Sequence, residues 1–111
     1  MIRTPFGAIG TDLALTETGA QAVAINNQYT IIDGVTVEAT GNRTINLTVD
    51  TKVTKGAELF VKSKTNGTET TIFGTSITAP TITGVAGKTF TQKFTYSGTV
   101  FLPDGLSVQI D

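Results

Sequence analysis

The sequence contains no cysteine, no histidine and no tryptophan. Without cysteine there is no disulfide framework and no thiolate nucleophile. Without histidine, the Ser-His-Asp and Cys-His systems are excluded, together with the usual zinc ligand sets. Acid–base chemistry would fall to carboxylates, lysines or tyrosines. Charge is also scarce. Charged residues make up 15% of the chain, against about a quarter in an ordinary domain. Eight basic residues nearly balance nine acidic ones, so no basic stripe offers a footprint for nucleic-acid phosphates. No apolar run approaches the length of a membrane span. The opening Met1-Ile2-Arg3-Thr4-Pro5-Phe6-Gly7 lacks the apolar core of a signal peptide. The expectation is a product that stays where it is made, or leaves in a packaged particle.

What is present points to one folded β domain. The length of 111 residues suits a single domain, and 39% hydrophobic residues are enough for a core. Threonine supplies 23 residues. Its branched Cβ favours strands, and its hydroxyl suits their solvated face. Low, balanced charge does little to oppose association.

Turn signals recur about every ten residues from Ala22 onward, the spacing of a sandwich or barrel. They include Asn26-Asn27, Asp33-Gly34, Gly41-Asn42, Asn66-Gly67 and Pro103-Asp104-Gly105. Asn66-Gly67 is the strongest hairpin signal. Arg43 to Asp50 alternates most cleanly, with Ile45, Leu47 and Val49 on one side. Pro80 makes the Ser76–Thr83 region an edge or a kinked strand. Alternation predicts a core of Ile45, Leu47, Val49, Leu59, Val61, Phe90, Phe94, Leu106, Val108 and Ile110. Residues 1–20 are expected to form an N-terminal arm and 21–111 the β-sandwich domain. Alanine and leucine between Asp12 and Ala24 suggest a short helix there, interrupted by Gly19.

Candidate catalytic groups are few. Asp33, Glu38, Asp50, Glu58 and Glu69 stand beside turns or on polar strand faces, the places of solvated charge. Gly84-Val85-Ala86-Gly87-Lys88-Thr89 echoes the end of a phosphate-binding loop, but Ile82 occupies the position of its first glycine. A turn leading into a strand is the expectation. The sequons at Asn42, Asn46 and Asn66 follow from threonine abundance. The chain is expected to be no enzyme, and to carry no cofactor and no metal.

Partner-binding candidates are Ile2, Arg3 and Phe6 in the arm, apolar or extended by Pro5, and Phe60. If Leu59 and Val61 face the core, Phe60 points outward between Glu58 and Lys62. An exposed aromatic of this kind is typical of interfaces.

The start of the chain, the Thr-rich strand Arg43-Thr44-Ile45-Asn46-Leu47-Thr48-Val49 and the lack of Cys and His resemble one family: the small immunoglobulin-like decoration or auxiliary capsid proteins of tailed bacteriophages, those of crAss-like phages among them. The resemblance implies an all-β, immunoglobulin-like sandwich of about eight short antiparallel strands with an N-terminal arm. It implies a virion structural protein, made in the host cytoplasm, that binds and reinforces a capsid lattice. Its partners would be the major capsid protein or other virion subunits in many copies, with neither nucleic acid nor membrane. The alternative reading is a carbohydrate-binding or adhesive surface module.

Overall fold

The computed structural model describes residues 11–111. The described chain is all β, in ten strands. They are β1 (Thr11–Ala14), β2 (Gly19–Ile25), β3 (Tyr29–Ala39), β4 (Arg43–Val49), β5 (Glu58–Thr65), β6 (Thr70–Phe73), β7 (Ile82–Thr83), β8 (Thr89–Tyr96), β9 (Phe101–Pro103) and β10 (Val108–Gln109). One sheet has the order β1-β3-β5-β8-β10, with β9 also on β8; the other runs β2-β4-β6-β7.

The first six strands alternate between the two sheets. Within each sheet they pair in parallel: β1 with β3, β3 with β5, β2 with β4, and β4 with β6. The chain therefore winds in three stacked coils, β1–β2, β3–β4 and β5–β6. The corners stack as well. Gly19 N donates to Asn42 O, Thr40 N to Glu17 O, and Asn66 N to Ala39 O. Strands β7, β8, β9 and β10 then pair antiparallel on top of the third coil.

This winding corrects the antiparallel, eight-strand expectation. Asn26-Asn27, Gly41-Asn42 and Asn66-Gly67 lie between strands, and Pro103-Asp104-Gly105 lies at the end of β9. Asp33-Gly34 instead lies inside β3, where it precedes a register shift rather than a turn between strands. Asn26-Asn27 and Asn66-Gly67 are corners between sheets rather than hairpins. Each connects strands in different sheets. No helix forms between Asp12 and Ala24, where β1 and most of β2 lie. Gly19 has φ +86° at the corner, which only glycine adopts freely. Beyond it, Ala20, Ala22 and Ala24 are the exposed half of a strand whose other half, Gln21, Val23 and Ile25, is buried. Packing overrides alanine's helix propensity here. Of the expected arm, residues 1–10 lie outside the described residues, while 11–20 contain β1 and the start of β2.

The core fills the space between the sheets. Ile25, Ile32, Ile45, Leu59, Val61, Phe94 and Phe101 are fully buried, each contributing about 1.5–3 kcal/mol by leaving water. Phe73 of one sheet meets Phe94 of the other with ring centroids 5.1 Å apart. Leu47 is buried, whereas Val49 and Phe90 are half-buried. Leu106, Val108 and Ile110 depart from the expected core: they are 85%, 56% and 59% exposed. Val108 pairs with Thr91, which faces out of the sheet, and Gln109 pairs with Phe90. Gln109 is exposed as well, so this short strand has no buried face and its alternation carries no inward side.

Candidate functional site: the outer face and end of the larger sheet

The register brings together residues far apart in sequence. On β3, β5 and β8 the residues Thr30, Ile32, Leu59, Val61, Gln92 and Phe94 are buried, so their neighbours face outward. One outward row runs Ala14, Asp33, Lys62, Thr91, Val108; the next runs Asp12, Ile31, Phe60, Lys93; a third runs Tyr29, Glu58, Thr95, Leu102. Phe60 is thus outward, as alternation predicts, and half-buried between Ile31 and Lys93. The surface mixes Tyr29, Ile31, Phe60, Leu102 and Val108 with paired charges. Lys93 Nζ lies 3.9 Å from Glu58 Oε1, an exposed pair that contributes little energy. Of the other partner candidates, Ile2, Arg3 and Phe6 lie outside the described residues.

The C-terminal segment at the end of this sheet is held by polar contacts. Asp104 Oδ2 accepts from Thr95 Oγ1 at 2.6 Å, Gln92 Nε2 donates to Gly105 O at 3.0 Å, and Thr89 N donates to Asp111 Oδ1 at 2.7 Å. Ile110 N donates to Thr89 O. Backbone and polar side chains fix the segment, while Leu106, Val108 and Ile110 remain in water. Sequence reasoning missed this arrangement. Its signal was the bracketing of the apolar row by Asp104 and Asp111, two carboxylates able to tie the segment down.

The carboxylates weighed as catalytic groups hold turns and coils. Asp33 Oδ1 accepts from Val35 N at 2.8 Å and Thr36 N at 3.1 Å, and its Oδ2 from Thr36 Oγ1 at 2.6 Å. The Thr36 hydroxyl, then the Val35 amide, hold its carboxyl below the ordinary range, against a smaller opposing effect of burial. Asp50 Oδ1 accepts from Lys52 N and Glu69 Oε1 from Gly67 N. Glu38 lies 4.0 Å from Lys64. Among the described residues no three or more His, Cys, Asp or Glu are grouped so as to hold a metal ion. The sequon residues Asn42 and Asn46 stitch coils together, accepting from Thr70 N and Thr75 N. Gly84–Thr89 is a turn closed by Lys88 N on Val85 O, leading into β8.

A second feature missed from sequence is Arg43, which is fully buried. Its Nη1 donates to Val37 O at 2.9 Å and Thr16 O at 3.3 Å. Its Nη2 donates to Ser63 Oγ at 2.9 Å, Gly34 O at 3.0 Å and Lys64 O at 3.2 Å. Burial pushes its pKa down, partly opposed by Asp33; an arginine still keeps its charge. The guanidinium gathers carbonyls from all three coils, so its role is to bind the stack together. No known protein family, curated protein or solved structure matches this chain.

Proposed function

We propose that the chain is a structural subunit of a virus particle, in the position of a capsid decoration or auxiliary protein. The single observation that carries the reading is the apolar row Leu106, Val108 and Ile110, exposed at the end of a sheet on a segment tied down by hydrogen bonds. It continues into an outer face that carries Phe60, Ile31 and Leu102. Exposed, ordered apolar surface rimmed by polar groups is characteristic of protein contacts, and a nearly neutral, sparsely charged chain does little to oppose them. Cysteine-free coils fixed by buried hydrogen bonds suit a stiff packing element. From the bacteriophage resemblance the proposal keeps the part played in the particle. It does not need the immunoglobulin-like strand order, because three parallel coils are a different winding.

Mass spectrometry of virus particles purified through a density gradient tests this. The expected result is peptides of this chain at a fixed, multicopy ratio to the major capsid protein. Their loss from the particle fraction on purification would overturn the reading.

A further inference from the structure

Both ends of the coil stack are formed by strands of the two sheets. At the first end, among the described residues, β1 and β2 each pair on one side only. At the other end, β10 and β9 lie beyond β8, and β7 beyond β6. Each end therefore presents one strand edge from each sheet. Isolated edges of this kind are templates for further pairing, and stacked-coil proteins need their ends covered.

In the larger sheet the strand directions also match. Strand β8 is antiparallel to β5, and β9 and β10 are antiparallel to β8. Both therefore run parallel to β5, β3 and β1. A copy translated along the stack would bring its β1 onto β9 and β10 in the parallel sense already used by β1, β3 and β5. The columns carry the register across. Ala14, Asp33, Lys62, Thr91 and Val108 form one column, and Thr11, Thr30, Leu59, Phe94 and Pro103 another. The next copy's Ala14 would fall over Val108 and its Thr11 over Pro103. In the other sheet, Gly19, Arg43, Thr71 and Ile82 form a column, so β2 of the next copy would fall over β7, there in the antiparallel sense that β6 and β7 already use.

We infer that a second copy of this chain docks here, head to tail, with the β1–β2 end of one copy on the β10–β7 end of the next. This rests on the reading of the chain as a multicopy structural subunit and names the partner of its apolar row. Two observations favour a copy over an unrelated strand. Only another coil of this width meets both edges at once. Ten residues also precede Thr11 and join the chain at this end. They carry the apolar residues Ile2, Phe6 and Ile9. Such a contact is heterologous, closing into a ring or continuing as a filament.

The test uses variants that block one end each. Ile110 N donates to β8, so by alternation the Gln109 N–H points away from it, and Gln109→Pro with Val108→Lys blocks the far end without removing a ladder bond. Leu15 N donates to Asp33 O, so the Ala14 N–H points away from β3, and Ala14→Pro blocks the first end. Ala22→Pro on β2 is a second first-end variant, since Gly19 N faces β4. Only variants keeping the wild-type circular dichroism are used. Sedimentation velocity of the full chain at rising concentration is expected to show a series of growing species or one ring. Each blocked variant alone should be monomeric, and a one-to-one mixture of the two kinds should give a dimer and nothing larger. A first-end variant that still dimerises alone would overturn the proposal, because the contact would then be two-fold. So would a wild-type chain that stays monomeric, or that associates only after residues 2–10 are deleted. In that last case its own N-terminus is the occupant. The virion reading stands or falls separately, on the particle composition.

Discussion

Arg43 donates through Nη2 to the carbonyl of Gly34 at 3.0 Å, in space that a side chain at position 34 would fill. A Cβ on Gly34 would stand 2.8 Å from that nitrogen and 2.7 Å from Lys62 O. The glycine is therefore required by a close approach, not by its backbone angles. Gly34→Ala is expected to destabilise the protein by about 1–3 kcal/mol, the usual cost of overpacking. Urea denaturation would show it as a lowered midpoint; an unchanged midpoint would mean the guanidinium can move aside.

Removing the guanidinium itself should cost more. Arg43→Ala leaves a large cavity and deprives Val37, Gly34 and Lys64 of a donor. Unmade buried hydrogen bonds cost about 1–3 kcal/mol each, so a loss of about 4 kcal/mol or more is expected. Arg43→Lys keeps the charge but cannot span both sets of acceptors, and should recover only part of the loss. Full recovery by lysine in the same denaturation series would show that charge, rather than the fork of donors, is what the coils need.

The buried arginine shows how much was legible. Arg43 shares the phase of Ile45, Leu47 and Val49, so period-two alternation points it inward, against the general rule that arginines are exposed. Phase also gave Phe60 its outward side. Turn residues mark the corners at Asn26-Asn27, Gly41-Asn42 and Asn66-Gly67, though not the one between β1 and β2, and they say only that the chain changes direction. Whether it returns to the same sheet or crosses to the other is set by packing between coils, through long-range contacts such as Asn42 with Thr70 and Gln28 with Thr54. That is why parallel coils read as antiparallel hairpins. The exposed C-terminal row was visible as a pattern, but its outward sense depends on the Val108–Thr91 register.

Acid should reveal the Asp33 turn. Its folded-state pKa lies below the ordinary 3.8, chiefly through the Thr36 hydroxyl. A lowered carboxylate pKa contributes stability that is present above the ordinary value and is lost as pH falls through the lowered one. Asp33→Asn keeps an acceptor but removes the charge. The thermal midpoint of the variant should lie below that of the wild type at neutral pH, and the gap should narrow as pH falls below about 4. A gap that does not change between about pH 2 and 7 would assign the effect to geometry alone.

Two leucines separate the inner and outer surfaces. Leu47 is 3% exposed inside the second coil, and Leu106 is 85% exposed on the C-terminal segment. Leu47→Ala deletes buried methyls and leaves a cavity, so it should cost about 2–5 kcal/mol. Leu106→Ala removes atoms already in water and should change stability by less than about 0.5 kcal/mol. The comparison is informative because both residues sit in alternating apolar runs of similar strength, and only the fold distinguishes them. Dilute samples are needed, since association would stabilise the folded state and tie Leu106 to concentration. A large loss at Leu106 in dilute solution would mean that the C-terminal segment packs inward and that its apolar row is part of the core.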